Sequence, residues 1–136
     1  MWGIGVDIVE VHRFRALDYA KNKEFYNRIF TPREIKYCLS FKNPAQHFAA
    51  TFAGKESVYK AINRRINIKP HRIEIVRDGK APRVNLVMDG CGGSDKTNPS
   101  LQIKVTLSHT SSYAVAFALA VFEEPEQVWS SSREES

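Results

Sequence analysis

The longest helical pattern in the chain spans residues 45–63, and it constrains the fold more than any other segment. The apolar residues that share one face of this helix, at helical spacing, are Phe48, Phe52, Tyr59 and Ile62. The chain has 136 residues, of which 43% are hydrophobic, so it has apolar material for one core but not for two. We therefore expect a single domain over residues 1–122.

Strand-like segments lie on both sides of the helical region. They are residues 2–12, 71–77, 83–88, 101–108 and 113–122. Residues 13–30 are predicted to be helical with interruptions. A further helix, ending near Phe41, begins at Thr31-Pro32-Arg33-Glu34, where Thr31 and Glu34 can form a capping box. A strand, then helices, then antiparallel strands predict an α+β fold with helices packed on one side of a mostly antiparallel sheet.

Two segments lack these patterns. Residues 89–100 contain three glycines and one proline, and we expect them to form a mobile loop. Residues 123–136 are acidic and rich in serine, and we expect a disordered tail.

The net charge, the start of the chain, its apolar stretches and its cysteines limit the classes of protein to which the chain can belong. The formal net charge of +5 favours an acidic or phosphorylated partner. The chain begins without a signal-peptide pattern, and its longest apolar stretch is too short to span a bilayer as a helix. Its two cysteines, Cys38 and Cys91, lack the spacing of metal ligands or of a disulfide framework. We expect a soluble protein of the reducing cytoplasm.

Asp7 interrupts an apolar strand. It lies between Val6 and Ile8, although strands rarely contain aspartate. It is either a solvent-facing residue on an edge strand or a ligand displayed from a rigid element. Gly3 and Gly5 favour the second interpretation, because a residue without a side chain lets a ligand or another backbone approach closely.

The long helix carries further charged residues. Glu56 and Lys60 are four residues apart, and this spacing alone favours a surface ion pair. Lys55 falls within the apolar stripe, so its ammonium group must either reach solvent or find a carboxylate.

The turn after the fourth strand is rich in hydroxyl groups. Ser108, His109 and Thr110 lie there, followed by Ser111 and Ser112. This composition is typical of a polar turn, and it also suits a phosphate cradle.

Basic residues form two groups. The first group consists of Arg13, Arg15, Lys21, Lys23 and Arg28, and the second of Arg64, Arg65, Lys69 and Arg72. Neither group is interleaved with aromatic residues as single-stranded nucleic acid binding requires, and no zinc or RNA-binding signature is present. Two carboxylates, a lysine, a hydroxyl-rich turn and basic flanks suggest divalent-metal phosphate chemistry. The alternative is a non-catalytic basic module that binds acidic proteins or nucleic acid.

Four motifs resemble the holo-acyl-carrier-protein synthases, which are phosphopantetheinyl transferases. They are Gly3-Ile4-Gly5-Val6-Asp7-Ile8 with Glu10 and Arg13, Phe30-Thr31-Pro32-Arg33-Glu34, Phe52-Ala53-Gly54-Lys55-Glu56-Ser57 with Lys60-Ala61, and Leu107-Ser108-His109-Thr110. The resemblance covers roughly residues 3–122, and the opening and central motifs are specific.

The resemblance implies a homotrimer with active sites between subunits. It also implies that Asp7 and Glu56 bind Mg²⁺, which bridges the coenzyme A pyrophosphate, and that Lys60 contacts phosphate. Ser108, His109 and Thr110 would line the coenzyme A site from a neighbouring subunit. The first basic group, with Arg13 and Arg28, would dock acyl carrier protein. The resemblance does not separate carriers of fatty-acid synthesis from those of polyketide synthesis.

The chain departs from the family pattern in three places. The family's Gly-x-Pro turn is one residue longer here, as Gly79-Lys80-Ala81-Pro82. Thr51 stands where the family usually has arginine, and Asn63-Arg64-Arg65 stands where it often has Gly-Thr-Gly. We expect Arg64 or Arg65 to supply the positive charge that Thr51 lacks.

Overall fold

The computed structural model describes residues 1–87 and 100–123. The strands are β1 (Trp2–Glu10), β2 (Ile73–Val76), β3 (Arg83–Leu86), β4 (Leu101–His109) and β5 (Tyr113–Phe122). The helices are α1 (His12–Arg15), α2 (Lys23–Ile29), α3 (Pro32–Leu39) and α4 (Pro44–Ile62), with 3₁₀ turns at Tyr19–Lys21 and Pro70–Arg72. Most of the predicted loop 89–100 and of the predicted tail 123–136 lies outside the described residues.

The strands form two antiparallel sheets. The larger sheet has the order β1-β5-β4, and β2 and β3 form a separate hairpin. In the larger sheet Asp7 is opposite Ala116, and Leu107 is opposite Ala116 from the other side. All described pairings are antiparallel, so the predicted α+β fold is confirmed.

Helix α4 packs against one face of the larger sheet. Small residues of β5, Ala114, Ala116, Ala118 and Ala120, are buried beneath it. Gly3 and Gly5 of β1 lie so close to the helix that an added Cβ would stand 1.8 Å from the Ala61 oxygen and 2.0 Å from the Ser57 oxygen. The close approach that these glycines indicated is therefore made by the backbone of α4.

The opposite face of the larger sheet is apolar and exposed. Ile4 and Ile8 of β1 are 65% and 66% exposed, and Phe117 of β5 is 45% exposed. Gly3, Gly5, Asp7 and Val9 of β1 thus face the helix, while Trp2, Ile4, Val6 and Ile8 face outward. We call the outward-facing side chains of Ile4, Val6, Ile8, Val115 and Phe117 the apolar sheet face.

An aromatic cluster fills the space between α4 and the helices before it. Phe14, Tyr26, Phe30 and Phe48 are buried together, and Tyr26 and Phe48 have ring centroids 4.6 Å apart. Tyr26 also donates a hydrogen bond to the Leu17 carbonyl at 2.5 Å. Burial raises the pKa of Tyr26 to about 12, with a smaller contribution from Asp18.

The predicted boundaries needed correction at several segments. The strand predicted over residues 83–88 ends at Leu86, the strand predicted over 101–108 extends to His109, and the helix predicted over 45–63 spans Pro44–Ile62. The first strand ends at Glu10 instead of residue 12, because Val11 opens α1. Helix α3 ends at Leu39 rather than near Phe41. The segment 71–77 contributes only Ile73–Val76 to a strand, because Pro70 starts a 3₁₀ turn and Arg77 lies beyond the last pair.

The predicted capping box at the start of α3 is confirmed. The Glu34 amide donates to the Thr31 hydroxyl, and the Thr31 amide donates to the Glu34 carboxylate at 2.9 Å. The same carboxylate accepts a hydrogen bond from the buried Lys55 ammonium at 2.7 Å. Of the two outcomes expected for Lys55, the structure therefore shows the carboxylate partner. None of the helices in residues 1–87 and 100–123 is long and apolar enough to span a membrane.

Candidate active site

Asp7 faces α4 rather than open solvent. Its side chain is only 19% exposed. It lies on the same side of β1 as Gly3, Gly5 and the buried Val9, which is the side that faces α4. The interpretation of Asp7 as a solvent-facing residue is therefore wrong, although β1 is an edge strand of the described sheet. The alternation of the strand puts the aspartate at the contact between sheet and helix.

Lys60 of α4 contacts Asp7. Its Nζ atom lies 3.3 Å from Asp7 Oδ1 and donates to the Val6 carbonyl oxygen at 3.0 Å. The ion pair that the structure records for Lys60 is thus with the strand, and not with Glu56 on its own helix. This pairing joins the opening and central sequence motifs in one place.

Glu56 carries a carboxylate close to that of Asp7. Burial raises the pKa of Glu56, the negative charge of Asp7 raises it further, and the ammonium groups of Lys60 and Lys55 lower it. The Asp7 carboxylate therefore disfavours the charged form of Glu56. A cation between the two would relieve this repulsion.

The donor set of this pair fits Mg²⁺. The ion prefers oxygen ligands and is commonly held by one or two carboxylates together with substrate phosphates and water. Among the residues that the structure describes, no group of three or more His, Cys, Asp or Glu residues forms a complete metal site. Two carboxylates suit an ion that takes its other ligands from substrate and solvent.

Arg64 lies just beyond the end of α4. It lines a cavity of about 350 Å³ that Lys60 and Gly3 also line. The structure therefore brings Arg64 near Lys60, at the end of the helix far from Thr51.

The hydroxyl-rich turn joins β4 to β5. The Thr110 hydroxyl accepts hydrogen bonds from the amides of Ser112 and Tyr113, both at 3.1 Å, and the Thr110 amide donates to the Tyr113 carbonyl. These amides are already used inside the turn, which favours the polar-turn interpretation for this part of the segment.

Ser108 and His109 point to opposite faces of the sheet. Ser108 pairs with the outward-facing Val115, while His109 pairs with the buried Ala114 on the side of α4. Within one chain, Ser108 therefore shares a face with the apolar sheet face rather than with Asp7.

The first basic group is exposed along α1, the 3₁₀ turn and α2. Its members are Arg13, Arg15, Lys21, Lys23 and Arg28. Arg15 also donates to the Ser111 carbonyl oxygen at 2.8 Å, which ties α1 to the turn between β4 and β5. These residues form a solvated basic surface beside that turn.

The sequence interpretation missed His47 and Arg77. Arg77 donates through Nη2 to the Thr51 hydroxyl and to the His47 carbonyl oxygen at 3.3 Å. The His47 ring lies 5.2 Å from the His109 ring, centroid to centroid. The available signal was the position of His47 one turn before Thr51 on the long helix, but nothing local indicates that Arg77 reaches it.

The packing of β1 on α4 brings the Asp7 and Glu56 carboxylates together. The chain that carries this site is similar to known proteins. The family model of the 4′-phosphopantetheinyl transferase superfamily matches residues 3–118. The chain belongs to this superfamily.

Similar proteins support the superfamily assignment. The holo-[acyl-carrier-protein] synthase of Geotalea daltonii is 38% identical over 119 residues, which cover 85% of this chain and 94% of the relative. The enzyme of that name from Chlamydia felis is 39% identical over 123 residues, covering 87% of this chain and 95% of the relative.

Solved structures of the superfamily share the fold. The acyl carrier protein synthase of Mycobacterium tuberculosis has a TM-score of 0.62 at 31% identity, covering 88% of this chain and 96% of that one. The Helicobacter pylori holo-[acyl-carrier-protein] synthase in complex with coenzyme A has a TM-score of 0.64 at 27% identity, covering 88% of this chain and 99% of that one.

Proposed function

We propose that this chain is a holo-[acyl-carrier-protein] synthase. It transfers the phosphopantetheine arm of coenzyme A to a serine of apo acyl carrier protein and releases adenosine 3′,5′-bisphosphate. The observation that carries the proposal is the superfamily match over residues 3–118. It is supported by synthases of that name 38% and 39% identical over most of this chain.

Asp7 and Glu56 are the residues that would hold Mg²⁺. The charge of Asp7 already acts on Glu56, and both carboxylates lie at the contact of β1 with α4. When bound, the ion supplies neutralisation of the charge that develops on the pyrophosphate during transfer. The two carboxylates would hold the ion in a defined place, because each is carried by a rigid element.

Lys60 would bind phosphate. Its side chain is 50% exposed, so the ammonium group that contacts Asp7 and the Val6 carbonyl remains accessible to a ligand. Arg64 and Lys60 line one cavity, so Arg64 adds a second positive charge there. An anionic substrate group in this cavity would therefore meet two cationic side chains.

The carrier serine must lose a proton as it attacks the β-phosphate. Glu56 is a candidate base, since its raised pKa brings it nearer to the working pH than an ordinary glutamate. Asp7 is a second candidate base, because its carboxylate lies close to that of Glu56. An activated water is the third candidate.

The exposed basic surface of α1 and α2 would dock the carrier protein. Arg13, Lys23 and Arg28 are exposed there and carry the sign of charge that an acidic helix requires. Because Arg15 ties this surface to the turn between β4 and β5, a docked carrier would lie beside Ser111.

The apolar sheet face supports the proposal of a homotrimer with sites between subunits. Monomeric proteins rarely expose a continuous patch of large apolar residues, and such patches mark interfaces. Val6 and Phe117 are opposite each other in neighbouring strands and are 56% and 45% exposed. Ser108 lies on this face, so an interface there would bring Ser108 of one subunit to its neighbour.

A thermal-shift experiment tests the function against the alternative of a basic binding module. Coenzyme A with Mg²⁺ is expected to raise the melting temperature, while single-stranded DNA or RNA is not. A salt-sensitive shift with nucleic acid and none with coenzyme A would favour the binding module. In the synthase, Mg²⁺ is expected to strengthen the response to coenzyme A.

A further inference from the structure

A cavity of about 350 Å³ lies where the end of α4 meets the first residues of β1. Its described lining carries three cationic side chains and no acidic one, and the three are Lys60, Arg64 and Arg65. Arg64 is exposed, and within residues 1–87 and 100–123 it pairs with no carboxylate. We call this space the basic cavity. Its positive potential favours an anionic occupant.

The end of β5 brings the chain to the basic cavity. Phe122, the last residue of β5, lines the cavity, and the Arg65 guanidinium lies 5.2 Å from the centroid of the Phe122 ring. The Glu123 amide donates to the Ser100 carbonyl oxygen at 2.7 Å, which fixes the chain as far as residue 123. The residues that follow therefore start beside the basic cavity.

Those next residues carry the opposite charge. They are Glu124-Pro125-Glu126, they lie outside the described residues, and we call them the acidic segment. Side chains alternate in an extended chain, so residues 124 and 126 would follow Phe122 on the same side. Pro125 favours an extended backbone at Glu124. Two residues span at most about 7 Å and four at most about 14 Å, so both carboxylates can reach the basic cavity.

Both members of this charge pair are departures from the family pattern. Arg64 and Arg65 stand where the family often has Gly-Thr-Gly, and the family match ends at residue 118, before the acidic segment. The dipole of α4 favours cations at its end, which accounts for the sign of Arg64 but not for the glutamates after Phe122. A contact between the two departures accounts for both.

We propose that the acidic segment docks in the basic cavity of its own chain and competes there with coenzyme A. The proposal rests on the proposed function, since it is that function which brings an anionic group of coenzyme A to this cavity. Lys60 lines the cavity and is the residue proposed to bind phosphate. A docked carboxylate would neutralise the charge that the phosphate requires, so the contact is autoinhibitory.

The short tether makes such competition effective. An exposed ion pair is weak by itself and is screened by salt. Residues 124 and 126 are only two and four positions beyond Phe122, which lines the cavity, so their carboxylates have a high effective concentration there. Coenzyme A must displace them to reach Lys60 and Arg64.

A zero-length carbodiimide cross-link tests the contact without coenzyme A. The reagent joins an amine to a carboxylate only where the two touch, and the ion pair of Lys60 with Asp7, at 3.3 Å, is the internal positive control. In an Arg64→Lys protein, peptide mass spectrometry is expected to find position 64 joined to Glu124 or Glu126. Saturating coenzyme A with Mg²⁺ should suppress this link.

Calorimetry with coenzyme A and Mg²⁺ tests the competition. Glu124→Gln/Glu126→Gln is expected to bind coenzyme A roughly three- to tenfold more tightly than the wild type at low salt, the effect of losing two surface ion pairs. The difference should shrink at high salt. Glu134→Gln/Glu135→Gln is the matched control, because it removes the same charge further along the chain and should keep the wild-type affinity.

Absence of the link at position 64, in a sample where Lys60 is joined to Asp7, would overturn the docking. A link from position 64 to the acidic segment of another copy, seen in a covalent dimer, would overturn the intrachain contact. Unchanged coenzyme A affinity in the Glu124→Gln/Glu126→Gln protein would overturn the competition. Failure of the proposed function is separate: coenzyme A would not bind the wild-type protein, although the link at position 64 would still form and support the docking.

Discussion

The Nζ atom of Lys60 lies 3.3 Å from Oδ1 of Asp7, although the two residues are 53 positions apart in the chain. The contact exists because Gly3 and Gly5 let α4 lie directly on β1, with no side chain between the two backbones. The same packing brings Glu56 within electrostatic reach of Asp7. One helix–strand contact thus assembles both carboxylates and the lysine.

Glu56→Gln is expected to leave the metal-free protein at least as stable as the wild type. The substitution removes one of two neighbouring negative charges, and the wild-type Glu56 is partly desolvated. Saturating Mg²⁺ and coenzyme A, at 100 times the dissociation constant, should stabilise the wild type by about 2.7 kcal/mol and the variant by much less. Differential scanning fluorimetry measures both quantities.

Asp78→Asn is the matched control for this substitution. Asp78 is an exposed carboxylate paired with Arg83, so its loss should leave the response to Mg²⁺ and coenzyme A intact. A Glu56→Gln protein that kept the full ligand-dependent stabilisation would show that Glu56 does not hold the ion.

Lys55→Met is expected to destabilise the fold by about 3–5 kcal/mol, because it leaves the Glu34 carboxylate buried without its countercharge. The pair is 2.7 Å apart, and its two side chains are 1% and 0% exposed. Burial raises the pKa of Glu34 and lowers that of Lys55, so each depends on the other to remain charged. Urea unfolding measures the loss.

The double variant Glu34→Gln/Lys55→Met should recover only part of this stability. Glu34 also accepts hydrogen bonds from the amides of Thr31 and Ile75, and a glutamine cannot accept from both with its two side-chain atoms. A cost below about 1 kcal/mol for Lys55→Met alone would contradict the view that this pair is a buried, coupled unit.

His47 should make the protein less stable in acid. Its pKa is lowered to about 4 in the folded state from 6.5, so the unfolded state binds the proton more readily between these values. The stability contribution is complete above pH 6.5 and is lost as the pH falls to about 4. We expect a loss on the order of 1–2 kcal/mol, since the ring is only partly buried.

His47→Gln is the comparison, because it keeps a polar side chain but cannot titrate. Urea midpoints between pH 7 and pH 4 should fall less steeply in the variant than in the wild type. Parallel curves for the two proteins would mean that His47 is protonated as easily in the folded state as in the unfolded one.

Val6→Glu should convert the proposed homotrimer to monomers. Val6 is 56% exposed in the single chain and lies opposite Phe117 on the apolar sheet face, so a charge there would be buried in an interface. Size-exclusion chromatography with light scattering measures the mass, and activity should fall with it. Leu39→Glu alters an exposed apolar residue on the helical side and should change neither. A wild-type monomer with full activity would refute the intersubunit site.

Local patterns predicted the elements well, since helix capping and alternation depend on neighbours in the chain. The capping box of Thr31 and Glu34 and the bounds of α4 are of this kind. The partner of Lys55 was predictable as a carboxylate but not as Glu34, because that contact depends on how α3 packs on α4.

The arrangement of the sites was less predictable. Alternation in β1 separates Asp7 from Val6, but it does not say which face the helix covers. The contacts of Arg77 with Thr51 and of His47 with His109 join α4, the end of β2 and the end of β4, and only the tertiary packing brings these residues together. The proposed roles of Ser108 and the basic surface remain predictions.

The most direct test of the account is mass spectrometry of an apo acyl carrier protein incubated with this protein, coenzyme A and Mg²⁺. We predict a mass increase of one phosphopantetheine, lost on chelation of the metal and lost with Asp7→Ala or Glu56→Ala proteins that remain folded. No increase with several carrier proteins and folded wild-type protein would contradict the proposed function. Full activity of both alanine variants would contradict the assignment of Asp7 and Glu56 as the metal-binding pair.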